Sequence, residues 1–286
     1  MKSTKLIAVL FVIFLACLAL SRQSSSGAEK LRIVSICPGT TEILYALGLG
    51  EEIIGVSSFC NYPEDVFKKE KVGSFSRPSL EKIVALRPDV IFATGLEQNE
   101  SVNMLREYGC KVVLSDPKNM DELFESISQI GRLTYTDTEA QSLIDKMRLE
   151  LTTIQDKVKK TPYALKPRVF VEIWSDPLMS AGKDSFVDEL IAQAGGVNIA
   201  RDAPRPYSIF SPELVIYRDP DYIILGYMQS KNTPNDIRQR VGWSKITAVM
   251  TDNVISDINP DILLRPSPRA IDAVRQIYQR IYCDKK

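Results

Sequence analysis

The sequence predicts an α/β protein built as two similar lobes joined by one long helix. Three observations carry this. First, the segment from Ser79 to Ile91 is echoed by Ser211 to Ile223, and Ser79/Ser211, Glu81/Glu213, Pro88/Pro220, Asp89/Asp221 and Ile91/Ile223 are identical pairs at one constant offset. Second, short apolar, β-prone runs alternate with amphipathic stretches through both halves, the pattern of a mainly parallel sheet covered on both faces. Third, between the two copies, Ala140, Leu143, Ile144, Met147, Leu151, Ile154 and Val158 recur at intervals of three and four. That spacing makes one stripe of a long helix apolar.

Each copy of the repeat reads as a physical unit. The Ser caps a helix start, and the Glu lies in the first turn, where the helix dipole favours negative charge. Pro-Asp stops the helix, and a buried strand follows. Two such lobes enclose a cleft, which is a place to hold a ligand.

In the first lobe, taken as 31–135, Leu31 to Cys37 predicts a strand. Pro38 to Glu42 predicts a turn into a helix that Gly48 ends. Ile53 to Val56 is the next strand, Val90 to Ala93 another, and Lys111 to Leu114 a further one. Asn99–Tyr108 and Asp121–Gly131 have helical spacing. The connecting helix spans 136–161, acidic at its start and lysine-rich at its end, and Pro162 stops it. In the second lobe, 167–286, strands are expected at Arg168–Ile173, Tyr222–Leu225 and Val254–Ile255. Helices are expected at Phe186–Ala194 and after Ser267, with Ser267 as cap and Pro268 in the first turn.

The N-terminus is a targeting segment and is set apart from the fold. Lys2 and Lys5 precede an apolar run, Leu6 to Leu20, which is shorter than a comfortable membrane span of about 20 residues. Residues 1–28 are expected to be a signal peptide cleaved before Glu29, with lipidation at Cys17 as the alternative. Either places the mature chain outside the cytoplasm, in the periplasm or its equivalent. The 36 Lys and Arg residues balance 36 Asp and Glu. Nucleic acid is therefore not an expected partner, since it calls for a basic footprint. The chain contains no histidine. That removes His-based nucleophilic catalysis, His-containing zinc sites and His-ligated haem. With no phosphate-cradling Gly-rich loop and no Gly-x-Ser-x-Gly elbow, an enzyme is not expected. Cys37, Cys60, Cys110 and Cys283 are too few for a disulfide framework and are expected to be free thiols.

The segments Ile33 to Leu44, Gly55 to Pro63, Val72 to Phe75, Leu80 to Ile83 and Pro88 to Ile91 together resemble the helical-backbone class of extracytoplasmic binding proteins, within it most nearly the vitamin B12-binding branch. The resemblance runs from about Arg32 to Tyr282. It implies two Rossmann-like lobes, a long rigid helix between them, and a ligand in the cleft, cobalamin or a related corrinoid. A ferric siderophore, haem or a sensor role are the alternatives. It also implies a monomer with no intrinsic cofactor that delivers its ligand to a membrane ABC importer. One glutamate on each lobe pairs with permease arginines in that class, and the matching positions here are Glu81 and Glu213.

Parallel sheets of this kind bind ligands beyond the C-terminal ends of their strands. That nominates Pro38 and Thr40 after the first strand, Phe59, Cys60 and Tyr62 after the second, and Glu97 after a third. Phe75 lies before the first repeat. Trp174 and Tyr207 in the second lobe, and Asp261 and Arg265 before the last helix, complete the set. Aromatic faces suit a large planar ring, and Arg suits its amide or carboxylate rim. Thr94 and Tyr207 stand where the corrinoid pattern leads one to expect tryptophan.

Overall fold

The computed structural model describes residues 30–95, 98–227 and 233–284. The targeting segment with Cys17, and Glu97, lie outside them. Arg32–Lys286 forms one compact unit.

Among the described residues the first lobe holds a five-stranded sheet in the order β3-β2-β1-β4-β5. The strands are β1 (Ile33–Ser35), β2 (Ile53–Val56), β3 (Glu70–Lys71), β4 (Val90–Ala93) and β5 (Val112–Leu114). Every pairing in it is parallel. The second lobe is built on β6 (Arg168–Ser175), β7 (Leu178–Ala181), β8 (Val197–Asn198), β9 (Tyr207–Ile209), β10 (Tyr222–Leu225) and β11 (Val254–Ile255). Its sheet is mixed. β6, β8, β10 and β11 pair in parallel, whereas β7 runs antiparallel to both β6 and β9. The central strands β1, β4 and β10 are buried throughout, as expected where both faces are covered.

The helices of the first lobe are α1 (Pro38–Ala46), α2 (Leu80–Ala85), α3 (Asn99–Glu107) and α4 (Met120–Thr134). α5 (Asp137–Val158) connects the lobes. The second lobe carries α6 (Phe186–Gln193), α7 (Pro212–Arg218), α8 (Pro234–Arg238), α9 (Thr247–Met250), α10 (Pro260–Leu264) and α11 (Ala270–Tyr278).

The sequence repeat is a repeat in space. Ile33 on β1 faces Val90 on β4, and Val169 on β6 faces Tyr222 on β10. The repeated aspartate does more than stop a helix. Asp89 Oδ2 accepts from the Arg32 backbone N–H at 2.8 Å, and Asp221 Oδ2 accepts from that of Arg168 at 2.7 Å. In each lobe the aspartate backbone N–H returns a bond to the same residue's carbonyl. Each aspartate thus staples the repeat's strand to the start of the lobe's central strand. The chain leaves α2 and α7 through left-handed residues, Arg87 at φ 48° and Asp219 at φ 42°.

Two expectations about caps need correction. Ser211 caps α7 by accepting from the Leu214 N–H at 3.2 Å, but the Ser79 side chain makes no such bond. Ser79 is instead held in extended conformation, its own N–H donating to Val72 O at 2.7 Å. Ser267 does not cap the last helix. Residues 268 and 269 form a turn, α11 begins at Ala270, and the Ser267 hydroxyl is buried with no hydrogen-bond partner. Likewise Pro38 to Glu42 is no turn: α1 starts at Pro38, which suits the first helical position.

α5 has 22 residues, about 33 Å at the usual rise. Ala140, Ile144, Met147, Leu151, Ile154 and Val158 are buried. It packs on α4 from the first lobe and on α6 and α11 from the second. Glycines seat it at both ends. A Cβ on Gly131 would lie 2.6 Å from Ala140 Cβ, and one on Gly195 would lie 2.6 Å from Val158 Cγ1.

Candidate functional site

The loop beyond β2 meets α10 of the second lobe. Asn61, beyond β2, donates from Nδ2 to Asp261 Oδ2 at 2.8 Å. Arg265 Nη1 donates to Asn61 Oδ1 at 2.7 Å, and Nη2 to Phe59 O at 3.3 Å. Asp261 also pairs with Arg265 at 2.7 Å. Beneath them Glu42 on α1, 4% exposed, takes two bonds from Arg269, 2.7 and 2.5 Å, with Arg265 3.6 Å away. A buried carboxylate needs such company, because desolvation otherwise penalises its charge. Burial works against the Arg269 charge. The Glu42 hydrogen bonds and charge outweigh it, so the guanidinium pKa lies above its ordinary value. Arg269 also stacks on Tyr62, 3.9 Å from the ring centroid. Together Glu42, Tyr45, Tyr62, Pro63, Pro268 and Arg269 line a hollow of about 270 Å³.

This polar tie contains four of the nominated residues: Phe59, Tyr62, Asp261 and Arg265. Phe59 and Tyr62 keep 37% and 45% exposure, enough to offer ring surface. On the second lobe Trp174 is 47% exposed at the end of β6, and its indole N–H donates to Asp176 O at 2.8 Å. The bond fixes the ring and leaves a face open. Tyr207 is half-buried at the start of β9. Burial pushes its phenol up to about 12, although the Phe186 backbone N–H donates to its oxygen. Phe75 is half-buried in the loop before α2.

Pro38, Thr40 and Cys60 are buried. Pro38 and Thr40 are buried in the first turn of α1, which packs so closely on the second lobe that a Cβ on Gly39 would meet Pro266 O at 2.5 Å. Cys60 is 1% exposed. Its Sγ lies 3.2 Å from Thr41 Oγ1 and 3.3 Å from Ser57 Oγ. Burial raises the Cys37 and Cys60 thiols above their ordinary values, so both are poor thiolate donors. All four cysteines from Cys37 onward are free.

Some organising residues escaped the sequence reading. Gln98 is fully buried and ties three strand-end loops. Its Nε2 donates to Ile36 O at 3.0 Å and Phe75 O at 2.7 Å, and its Oε1 accepts from Thr94 N at 3.0 Å. In the second lobe Glu172, fully buried on β6, accepts two bonds of 2.6 Å from Arg240 and one from the Tyr227 hydroxyl. The available signal was Glu172 itself: an acid inside an apolar strand implies a cation partner.

Glu81 and Glu213 lie in the first turns of α2 and α7 and are both exposed. Glu213 Oε2 accepts from Ser211 Oγ at 2.5 Å, and this bond holds the Glu213 carboxyl below its ordinary value.

Two α/β lobes tied by a polar network, with a helical connector and exposed aromatic rings on each lobe, suit a ligand carrier. Residues 33–259 match the family described as periplasmic binding protein, and the chain belongs to that family. It is 32% identical, over 90% of its length and 81% of the relative's, to an uncharacterised ABC transporter substrate-binding lipoprotein, YvrC, of Bacillus subtilis. It is 30% identical to a vitamin B12-binding protein of Vibrio cholerae, covering 86% of this chain and 87% of that one. Among solved structures, the periplasmic vitamin B12-binding protein BtuF of Vibrio cholerae superposes with TM-score 0.77, at 28% identity, over 87% of this chain and 96% of that one. The haem-binding protein RhuT of Roseiflexus superposes with TM-score 0.80, at 26% identity, over 90% and 100%. A possible iron-binding protein of Staphylococcus epidermidis gives 0.75, at 32% identity, over 88% and 98%. The chain is thus a substrate-binding protein of an ABC transporter.

Proposed function

We propose that this protein works outside the cytoplasm and captures cobalamin or a related corrinoid between its lobes. One observation carries the reading: aromatic rings are exposed on both lobes, Trp174 on one and Phe59 and Tyr62 on the other, and the Asp261–Arg265 pair bonds to the Phe59 carbonyl. Ring faces suit a macrocycle, and the carboxylate and guanidinium suit its amide rim. The similarity to proteins named as vitamin B12-binding supports the same ligand.

The test is calorimetry on the purified mature chain with cyanocobalamin, dicyanocobinamide, haemin and a ferric hydroxamate siderophore. One-to-one binding of a corrinoid is the expected result. Because the chain has no histidine, the bound corrin's visible spectrum should show no protein imidazole on cobalt. Tight haemin or siderophore binding with no corrinoid binding overturns the reading. Haem is the second reading, favoured by the likeness to the Roseiflexus haem-binding structure.

The loaded protein delivers its ligand to an ABC permease. Glu81 and Glu213, exposed at equivalent helix starts of the two lobes, are the contacts for cationic side chains of that partner. A signal peptide or a lipid anchor at Cys17 places the chain there, and it acts as a monomer.

A further inference from the structure

The two helices that carry Glu81 and Glu213 are the same unit turned to different uses on their outer faces. Their inner position is conserved in kind: Ile83 and Val215 are both fully buried. Their outer positions are not. Lys82 in the first lobe corresponds to Leu214 in the second, and Ala85 corresponds to Tyr217. Tyr217 lies one helical turn beyond Glu213, on the same face, and is 85% exposed. Leu214 is 38% exposed, Ile209 just before the helix 66%, and Val241 96%. Val241 adjoins the helix through its neighbour Gly242, on which a Cβ would lie 2.9 Å from Ile216 Cδ1 of α7.

The charges around this face are used internally. Arg218 pairs with Asp202 and donates to Ile199 O, and Asp219 accepts from Thr247. Glu213, bonded to Ser211 Oγ, makes no ion pair among those described and shares its helix with exposed Leu214 and Tyr217. The first lobe is different. There Glu81 is flanked by Lys82, which pairs with Glu70 at 2.8 Å, and by exposed Arg77 and Arg87, with Val84 at 38% and Ala85 exposed on α2.

We propose that the transporter contact is asymmetric: Ile209, Leu214, Tyr217 and Val241 form an apolar apron around Glu213, and it fits a permease surface that presents a cation ringed by apolar side chains. The first lobe supplies mainly charge, with Val84 as the counterpart of Ile216. This rests on the docking role given above to the two glutamates. Large exposed apolar side chains grouped on one face mark an interaction surface. Removing water around the Glu213 contact strengthens it, whereas the Glu81 contact stays wet and screened. The second lobe then provides most of the lifetime of the complex, and the first lobe its steering.

The experiment is surface plasmon resonance of the full mature chain on the cell's own permease complex in nanodiscs, with empty nanodiscs of the same lipid alongside. Four variants are compared at low and high salt: Tyr217→Ser with Val241→Ser, Val84→Ser, Glu81→Ala, and Glu213→Ala. The apron variant should bind about tenfold more weakly, through faster dissociation, at both salt concentrations. Val84→Ser should bind as the parent does, and Glu81→Ala should lose salt dependence. Thermal melts should match throughout, since every altered side chain is exposed. If both glutamate variants weaken binding and the apron variant does not, the asymmetry is wrong while the docking reading stands. If no variant changes binding, the docking reading itself falls and the apron with it. If the parent binds empty nanodiscs equally well and the apron variant does not, the apron faces lipid, and the proposal is overturned.

Discussion

Asn61 and Asp261, 200 residues apart, are hydrogen-bonded at 2.8 Å across the two lobes. Asn61 serves both ends of an ion pair: its amide N–H binds Asp261, and its carbonyl accepts from Arg265 at 2.7 Å. One amide therefore fixes the rim of the cleft. Replacing Arg265, 7% exposed, with Ala leaves Glu42 and Asp261 short of a cation. The expected loss in urea unfolding is about 3 kcal/mol, as for other broken buried pairs. A loss under about 0.5 kcal/mol would show that Arg269 alone satisfies Glu42. Asn61→Ala should cost less, about 1 kcal/mol.

Trp174 and Tyr62 offer ring faces on opposite lobes. Each Ala replacement should weaken cyanocobalamin binding by roughly 1–3 kcal/mol in calorimetry, with little change in melting temperature. Unchanged affinity for both would place the ligand elsewhere.

Glu81→Ala combined with Glu213→Ala should leave cyanocobalamin affinity and melting temperature unchanged. Uptake by proteoliposomes carrying the permease should fall sharply and lose its salt dependence. Normal uptake would reduce the pair to helix-dipole partners, worth about 0.3–1 kcal/mol each.

Tyr207 gives a pH signature in the ligand-free protein. Its phenol moves from 10.0 to about 12 in the folded state. Between those values the folded chain binds more protons than the unfolded one, so stability falls as pH rises through that window. Tyr207→Phe should flatten the decline of melting temperature between pH 10 and about 12. An unaltered slope would assign the alkaline loss to other groups.

Gly131→Ala should destabilise the chain by about 1–3 kcal/mol, because the added methyl lies 2.6 Å from Ala140 Cβ. Gly48→Ala, where nothing lies within 4 Å, separates steric overlap from backbone strain at positive φ. A milder loss there would attribute the difference to the α4–α5 contact.

Local chemistry made much of the fold legible. β2, β4, β10 and β11 appear at the predicted bounds, because each is an apolar, β-prone run between turn residues. α5 was legible because its apolar spacing persists over many turns. β7 and β9 were missed: they are short strands at one edge of the sheet, β7 antiparallel to both β6 and β9, with no alternation marking them. α10, five residues long, is too short to show a period. At the site, strand ends pointed to Phe59 and Tyr62, and the approach to the last helix to Asp261 and Arg265. Nothing local says that Glu42 meets Arg269 or that Asn61 joins the lobes. Those pairs depend on how the chain returns to itself, and the sequence offers many cations for one buried acid.

The position of α11 has a mechanical consequence. Arg269, the residue just before it, grips Glu42 in the first lobe, and Arg275 in its middle pairs with Glu150 on α5. A lone connecting rod lets two bodies twist about its length. A second member fastened to both the rod and the far body completes a triangle, and a triangle resists shear. The cleft is therefore braced before any ligand arrives. Capture then needs little rearrangement of the lobes, and release requires a partner able to strain the truss at Glu42 and Arg269.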